Sequence, residues 1–192
     1  RHLIKLHFKI FMAYIKRGTK SIYFNDVNIL PRVGAVSSRK DVPMELFRVI
    51  VSPMRSIVGD RFVEEAARLG LSVCSPRFLS MDQKLRLESL FYKNSIDDNQ
   101  RFFVAIGLNE SREDLNKLSK SLGKNILFDI ANGYIPQLND KVDYALDFCG
   151  NVESIMVGNV VTMDGVSRID SMFSSPKYGD KLFIRVGIGN GS

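Results

Sequence analysis

The sequence predicts a parallel α/β fold, and three features carry that expectation. Six short apolar runs recur along the chain, helical patterns lie between them, and within the runs apolar residues stand at consecutive rather than alternate positions. A strand that is apolar on both faces has to be covered on both, which is what crossover helices do for a parallel sheet. Periodicity leaves open whether that sheet closes as a barrel or winds in both directions.

The elements follow in order. Ile4, Phe8, Phe11 and Ile15 recur at helical spacing while Lys5, Lys9, Lys16 and Arg17 lie elsewhere on the wheel, giving a basic amphipathic helix over 1–17. It either covers an apolar patch of the domain, which the core-like spacing favours, or lies on a membrane surface. Interrupted by lysines, it is too polar and too short to make a stable membrane span. Strands are expected at 49–53, 71–75, 102–107, 125–131, 154–159 and 181–187, and helices at 60–69, 81–92, 112–122, 138–149 and 163–172. Ser80 stands three residues before Gln83, and Ser111 three before Asp114, the spacing of a capping box with a shorter acid in the second case. Gly123 follows the helix at 112–122 as a left-handed cap would, and the polar stretch 93–100 reads as a surface loop. No linker divides the remainder, so 1–20 is taken as a terminal helix and 21–192 as one α/β domain.

Composition excludes several classes. Of 192 residues 45% are apolar and 25% charged, as in folded domains. The 27 basic and 21 acidic side chains leave a net charge of +6, scattered without the clustering or aromatic interleaving of a polynucleotide binder, so no nucleic-acid partner is expected. Cys74 and Cys149 are the only cysteines, and no CxxC or Cys/His cluster offers metal spacing. Both are expected as buried, reduced thiols, which points to a reducing compartment, the cytoplasm.

Ligands of parallel α/β folds sit at the carboxyl ends of the strands, so candidate residues are sought there. The ends carry Ser52-Pro53-Met54, Asp129 to Tyr134, Gly158 to Thr162 and the glycine-rich Arg185 to Ser192. Asp129 ends an apolar run, where it either accepts hydrogen bonds from a ligand or forms an Asx turn with Asn132-Gly133; spacing alone favours the turn. Asn159 has the same two readings. Arg185 interrupts an apolar run and either snorkels at the sheet end or reaches a ligand. The alternating glycines at 187, 189 and 191 let backbone groups approach a phosphate or a cation.

Taken together, DIANGY at 129–134, VGNVVT at 157–162 and RVGIGNGS at 185–192 resemble, in order and spacing, three consecutive strand-end motifs of the IMP dehydrogenase/GMP reductase family. NDVNILPR at 25–32 and VIVSPM at 49–54 extend the resemblance over most of the chain after the first helix. It implies a (β/α)8 TIM-type barrel, incomplete here with about six of its strands, since the whole fold takes about 250 residues. The ANGY form after Asp129 is more similar to GMP reductase, as is the short connection between the second and third strands, which has no room for an inserted regulatory domain.

The resemblance implies NADPH-dependent reduction of GMP to IMP and ammonia through a covalent bond between a cysteine and purine C2, with NAD-dependent oxidation of IMP to XMP as the alternative. It implies that Asp129, Ile130, Ala131, Ile188 and Gly189 line the cofactor site with Arg77, Asn159 and Arg185 beside them, and that Ser38 and Arg39 reach a neighbouring subunit's cofactor. Ser52, Met54 and Ser192 would face the purine mononucleotide. Gly189 and Gly191 would offer carbonyls to a potassium ion, and a homo-oligomer, a tetramer in the family, is implied. The family's cysteine stands two residues past the glycine loop, so the nucleophile is expected beyond Ser192. Arg55 stands where the family usually has an acidic residue, and Pro76-Arg77 where it has His-Lys, so Arg77 keeps the charge but not the geometry. A second reading is a non-catalytic nucleotide-binding or interaction protein on a shortened barrel. Six strands would leave two open edges, from which poor solubility or obligatory oligomerisation is expected.

Overall fold

The computed structural model describes residues 49–133, 135–136, 138–150, 152–174, 178 and 181–187. The helix expected over 1–17, the motif at 25–32 and the candidates Ser38, Arg39, Ile188, Gly189, Gly191 and Ser192 lie outside these residues.

Strands and helices alternate: β1 (Ile50–Val51), α1 (Asp60–Arg68), β2 (Ser72–Cys74), α2 (Met81–Asn94), β3 (Phe102–Ile106), α3 (Arg112–Leu118), β4 (Asn125–Asp129), α4 (Leu138–Cys149), β5 (Ser154–Val160), α5 (Met163–Met172) and β6 (Leu182–Val186). The sheet order is β1-β2-β3-β4-β5-β6 and every neighbouring pair is parallel. A doubly wound sheet reverses its order at a switch point. Strict sequential order with one helix in each crossover is barrel winding, so the chain forms six strands of an incomplete α/β barrel.

The curl is visible in side-chain contacts. Phe103 on β3 and Phe183 on β6 have ring centroids 6.1 Å apart, although three strand spacings in a flat sheet would separate them by roughly 14 Å. Alternation along each strand then yields two cores. Val73, Val104, Phe128 and Val157 face outward and pack with the buried stripes of the helices, among them Val63 and Ala67 of α1 and Phe91 of α2. Cys74, Phe103, Ala105, Leu127 and Met156 face inward with Ile50 and Phe183. Each large apolar side chain so buried contributes about 1.5–3 kcal/mol before chain entropy is counted.

The Ser80 box forms as the spacing predicts: its hydroxyl accepts from the Gln83 N–H, while the Gln83 side chain accepts from the Ser80 N–H. The second forms only by half. Ser111 accepts from the Asp114 N–H, but the shorter acid receives the Ser111 hydroxyl instead of its backbone N–H. The helix expected over 112–122 stops at Leu118, and the reason is Glu88. This carboxylate on α2 accepts from the Ser121 hydroxyl at 2.6 Å and from the N–H groups of Leu122 and Gly123 at 2.9 and 3.1 Å, drawing the chain out of the helix. Gly123 is therefore not a left-handed cap. Positive φ falls on Lys124, at 47°, whereas a Cβ on Gly123 would run into the Tyr92 phenol.

Candidate functional site

A cleft of about 620 Å³ opens at the carboxyl ends of the strands. Its walls are Pro53 to Ser56 after β1, Pro76 to Phe78 after β2, and Asp129, Ala131, Asn159 and Arg185 at the ends of β4, β5 and β6. Six residues singled out by sequence are thus brought together: Met54, Arg77, Asp129, Ala131, Asn159 and Arg185. Ser52 is exposed and does not line the cleft. Ile130 turns its side chain, 5% exposed, into the helix-facing core, and contributes through its backbone, whose N–H donates to Gly158 and whose carbonyl accepts from Asn159.

Asp129 is the last residue of β4, on the inward parity shared with Leu127, and its register partner on β5 is Gly158. A Cβ at position 158 would lie 2.5 Å from the Arg185 carbonyl oxygen and 2.6 Å from the Arg185 Cβ. Glycine there lets β6 close over β5, and Arg185 Nη1 reaches Asp129 Oδ1, two strands away, at 2.8 Å. The pair is partly shielded, with side chains 28% and 23% exposed. Asp129 therefore holds an arginine rather than an Asx turn, and Arg185 neither snorkels nor stands free. Beneath them on the same face, the Cys74 thiol is pushed up to about 12 by burial, with the charge of Arg185 acting weakly against that and Asp129 acting with it.

The register between β5 and β6 slips once: Val157 pairs with Ile184, but Val160 pairs with Val186, so β5 carries one extra residue at Gly158-Asn159. A bulge breaks the strict alternation of side chains and re-aims one of them. Here it is Asn159, which lines the cleft, is 5% exposed, and has an amide oxygen without a hydrogen-bond partner. The loop after β4 packs against the bulge, where a Cβ on Gly133 would meet the Val160 side chain at 2.6 Å and the Asn159 backbone carbonyl oxygen at 3.0 Å.

Arg77 comes in from the β2 side. Its Nη1 donates to the Asp129 backbone carbonyl at 2.9 Å, and the guanidinium lies 4.9 Å from the centroid of the Phe78 ring. Gly107 at the end of β3 passes between this guanidinium and the Glu110 carboxylate, which accepts the Gly107 N–H at 2.6 Å. Behind it the Lys84 ammonium is buried; desolvation lowers its pKa, while Glu110 and Asp114 act the other way.

Sequence reading did not single out Ser56 and Phe78 of the cleft wall, nor the roles of Gly158 and Arg55. Gly158 carried a signal, since an isolated glycine inside a β-branched run marks a bulge or a close backbone approach. Arg55 was noticed as a substitution but not as part of the cleft wall. Both cysteines are buried and free, and burial pushes the Cys149 thiol up to about 11. Among the described residues no cluster of three metal-ligating side chains occurs, and no helix is long and apolar enough to cross a membrane.

No protein-family model and no curated protein matches the sequence. Among solved structures, the chain is similar to a crystal structure of inosine 5′-monophosphate dehydrogenase from Legionella pneumophila, with a TM-score of 0.61 and 22% sequence identity. The match covers 90% of this chain and 52% of that one, so the chain spans about half of its length. At that identity the likeness is one of fold.

Proposed function

We propose that the cleft is the nucleotide-binding lip of a purine-nucleotide oxidoreductase barrel of the IMP dehydrogenase/GMP reductase kind. The observation that carries this reading is Asn159: an amide 5% exposed, with an unpaired oxygen, on a bulge of β5 that lines the cleft at the ligand-binding end of a parallel barrel. Buried polar atoms rarely stay unpaired, so a ligand donor is the natural partner. Asp129 beside it offers a carboxylate to a ribose hydroxyl or a carboxamide. The fold likeness and the three strand-end motifs agree with this.

Within that family the GMP reductase branch is preferred. The connection from β2 to β3 consists of α2 and its two loops, and the ANGY form follows β4. A bound NADPH would supply the hydride for reduction of GMP to IMP and ammonia; the chain's own part is to hold and orient the nucleotides. IMP dehydrogenase chemistry with NAD is the alternative within the family. Potassium on Gly189 and Gly191, contacts from Ser38, Arg39, Ile188 and Ser192, a homo-oligomer and a cytoplasmic location belong to the same proposal. The non-catalytic reading has its own support, because both cysteines are buried with raised thiol pKa values and neither lines the cleft.

The test is calorimetric titration of the chain with GMP, IMP, NADPH and NADH, for the wild type and Asn159→Ala. The substitution leaves no partner of the Asn159 oxygen behind, so folding stability should hold within about 1 kcal/mol while nucleotide affinity falls about five- to tenfold. Wild-type protein that binds none of the four would refute the reading. Mixing GMP and NADPH with the chain should produce no change at the nicotinamide absorbance band; turnover would overturn the non-catalytic reading.

A further inference from the structure

Three guanidinium groups and one carboxylate line the cleft, and they are not equivalent. Arg185 is paired with Asp129. Arg77 gives one N–H to a neutral carbonyl and rests against Phe78, and it makes no ion pair among the described residues, since Gly107 stands between it and the Glu110 carboxylate. Arg55 is exposed on the turn after β1 and has no hydrogen-bond or ion-pair partner among the described residues. That turn is anchored, since the N–H groups of Ile57 and Val58 both donate to the Met54 carbonyl, at 3.0 and 2.9 Å. With Asp129 neutralised, the β1–β2 side of the cleft keeps two positive charges and no carboxylate of its own.

We propose that Arg55 and Arg77 form an anion subsite on the β1–β2 rim, which takes a phosphate monoester of the bound nucleotide. Guanidinium forks match phosphate oxygens in geometry and form charge-assisted hydrogen bonds to them. Arg77 supplies the preorganised half, with its plane already set, and Arg55 supplies a side chain that closes from an anchored turn. The subsite deepens the nucleotide-binding reading and rests on it. Two sources share this chemistry: the 5′-phosphate of a purine mononucleotide and the 2′-phosphate that distinguishes NADPH from NADH.

The experiment titrates the full chain at low salt with two pairs, GMP against guanosine and NADPH against NADH. It compares the wild type, Arg55→Gln and Arg61→Gln; Arg61 is exposed on α1 outside the cleft, so it makes the same charge change elsewhere. The wild type and Arg61→Gln should bind the phosphorylated member of one pair about tenfold more tightly, and Arg55→Gln should erase that preference. The pair that responds identifies the source. No preference in the wild type, an unchanged preference in Arg55→Gln, or an equal loss in both variants would overturn the subsite. If no nucleotide binds the wild type, the nucleotide reading fails, and the subsite is read with inorganic pyrophosphate in NMR spectra of the arginine Nε–Hε groups. Shifts at Arg55 and Arg77 but not at Arg61 would then uphold it, and no shift would overturn it.

Discussion

Replacing Gly158 by alanine tests the geometry on which the whole site depends. The added methyl would stand 2.5 Å from the Arg185 carbonyl oxygen, 2.6 Å from its Cβ and 3.1 Å from its Cα. Two of these three atoms are backbone, so no rotamer change relieves the contact; β5 and β6 have to part by roughly 0.9 Å to restore ordinary packing. Overpacking of this kind costs about 3 kcal/mol, the upper end of its usual range. The Arg185–Asp129 pair, at 2.8 Å and about a quarter exposed, is pulled out of register as well and adds no more than about 1 kcal/mol. For a chain of this length 3 kcal/mol corresponds to a fall in Tm of roughly 6–12 °C. Urea denaturation followed by circular dichroism measures it, with the m-value expected to stay constant. Gly59→Ala is the control: a Cβ there meets nothing within 4 Å, and the loss at a helix N-cap is about 1 kcal/mol or less. A Gly158→Ala protein within about 0.5 kcal/mol of wild type would refute the close approach of β6 to the bulge.

Two further perturbations address the scaffold. Glu88→Ala should cost about 3 kcal/mol in urea denaturation, because Ser121 and the N–H groups of Leu122 and Gly123 lose their common acceptor; a loss under about 1 kcal/mol would mean that water replaces the carboxylate. The thiols give a pH test. Burial raises Cys74 from 9.0 to about 12 and Cys149 from 9.0 to about 11, so above pH 9 the unfolded chain releases thiol protons that the folded chain keeps. Stability therefore falls as pH rises from 9, by up to about 1.4 kcal/mol per pH unit for each thiol, and the double variant Cys74→Ala/Cys149→Ala should show a shallower slope between pH 9 and 10. Equal slopes would contradict the burial of both thiols.

Local pattern was enough to place the strands and helices, because consecutive apolar runs and the Ser80 box act within a few residues. The choice of a barrel over a doubly wound sheet was not local: it lies in the pairing order, which periodicity does not encode, and only the family resemblance anticipated it. Asp129, Asn159 and Arg185 were legible as polar residues in the wrong place for a buried strand, yet their partners were not. The Asp129–Arg185 contact spans 56 positions in sequence, and it depends on the absence of a side chain at Gly158. The end of α3 was misjudged for a similar reason. Leu122 continues the helical pattern and Gly123 stands where a cap would, but Glu88, some 34 residues earlier in sequence, competes for their N–H groups, and a buried carboxylate among apolar helix positions gives no sign of which loop it will bind.

The position of Asp129 has a consequence for any ligand that enters the cleft. Its backbone carbonyl is held by Arg77 from β2 and its carboxylate by Arg185 from β6, so the residue is fixed from both sides of the mouth. Arg185 occupies Oδ1, and a carboxylate has two oxygens with about four acceptor sites. A ribose hydroxyl or carboxamide N–H can therefore donate to Oδ2 while the ion pair persists. Displacing Arg185 instead would leave a guanidinium that is only 28% exposed without its counter-charge, a larger loss than one ligand hydrogen bond returns. The pair thus aims the carboxylate rather than consuming it, and a nucleotide bound as proposed would add to Asp129 and Asn159 together across the bulge that Gly158 makes possible.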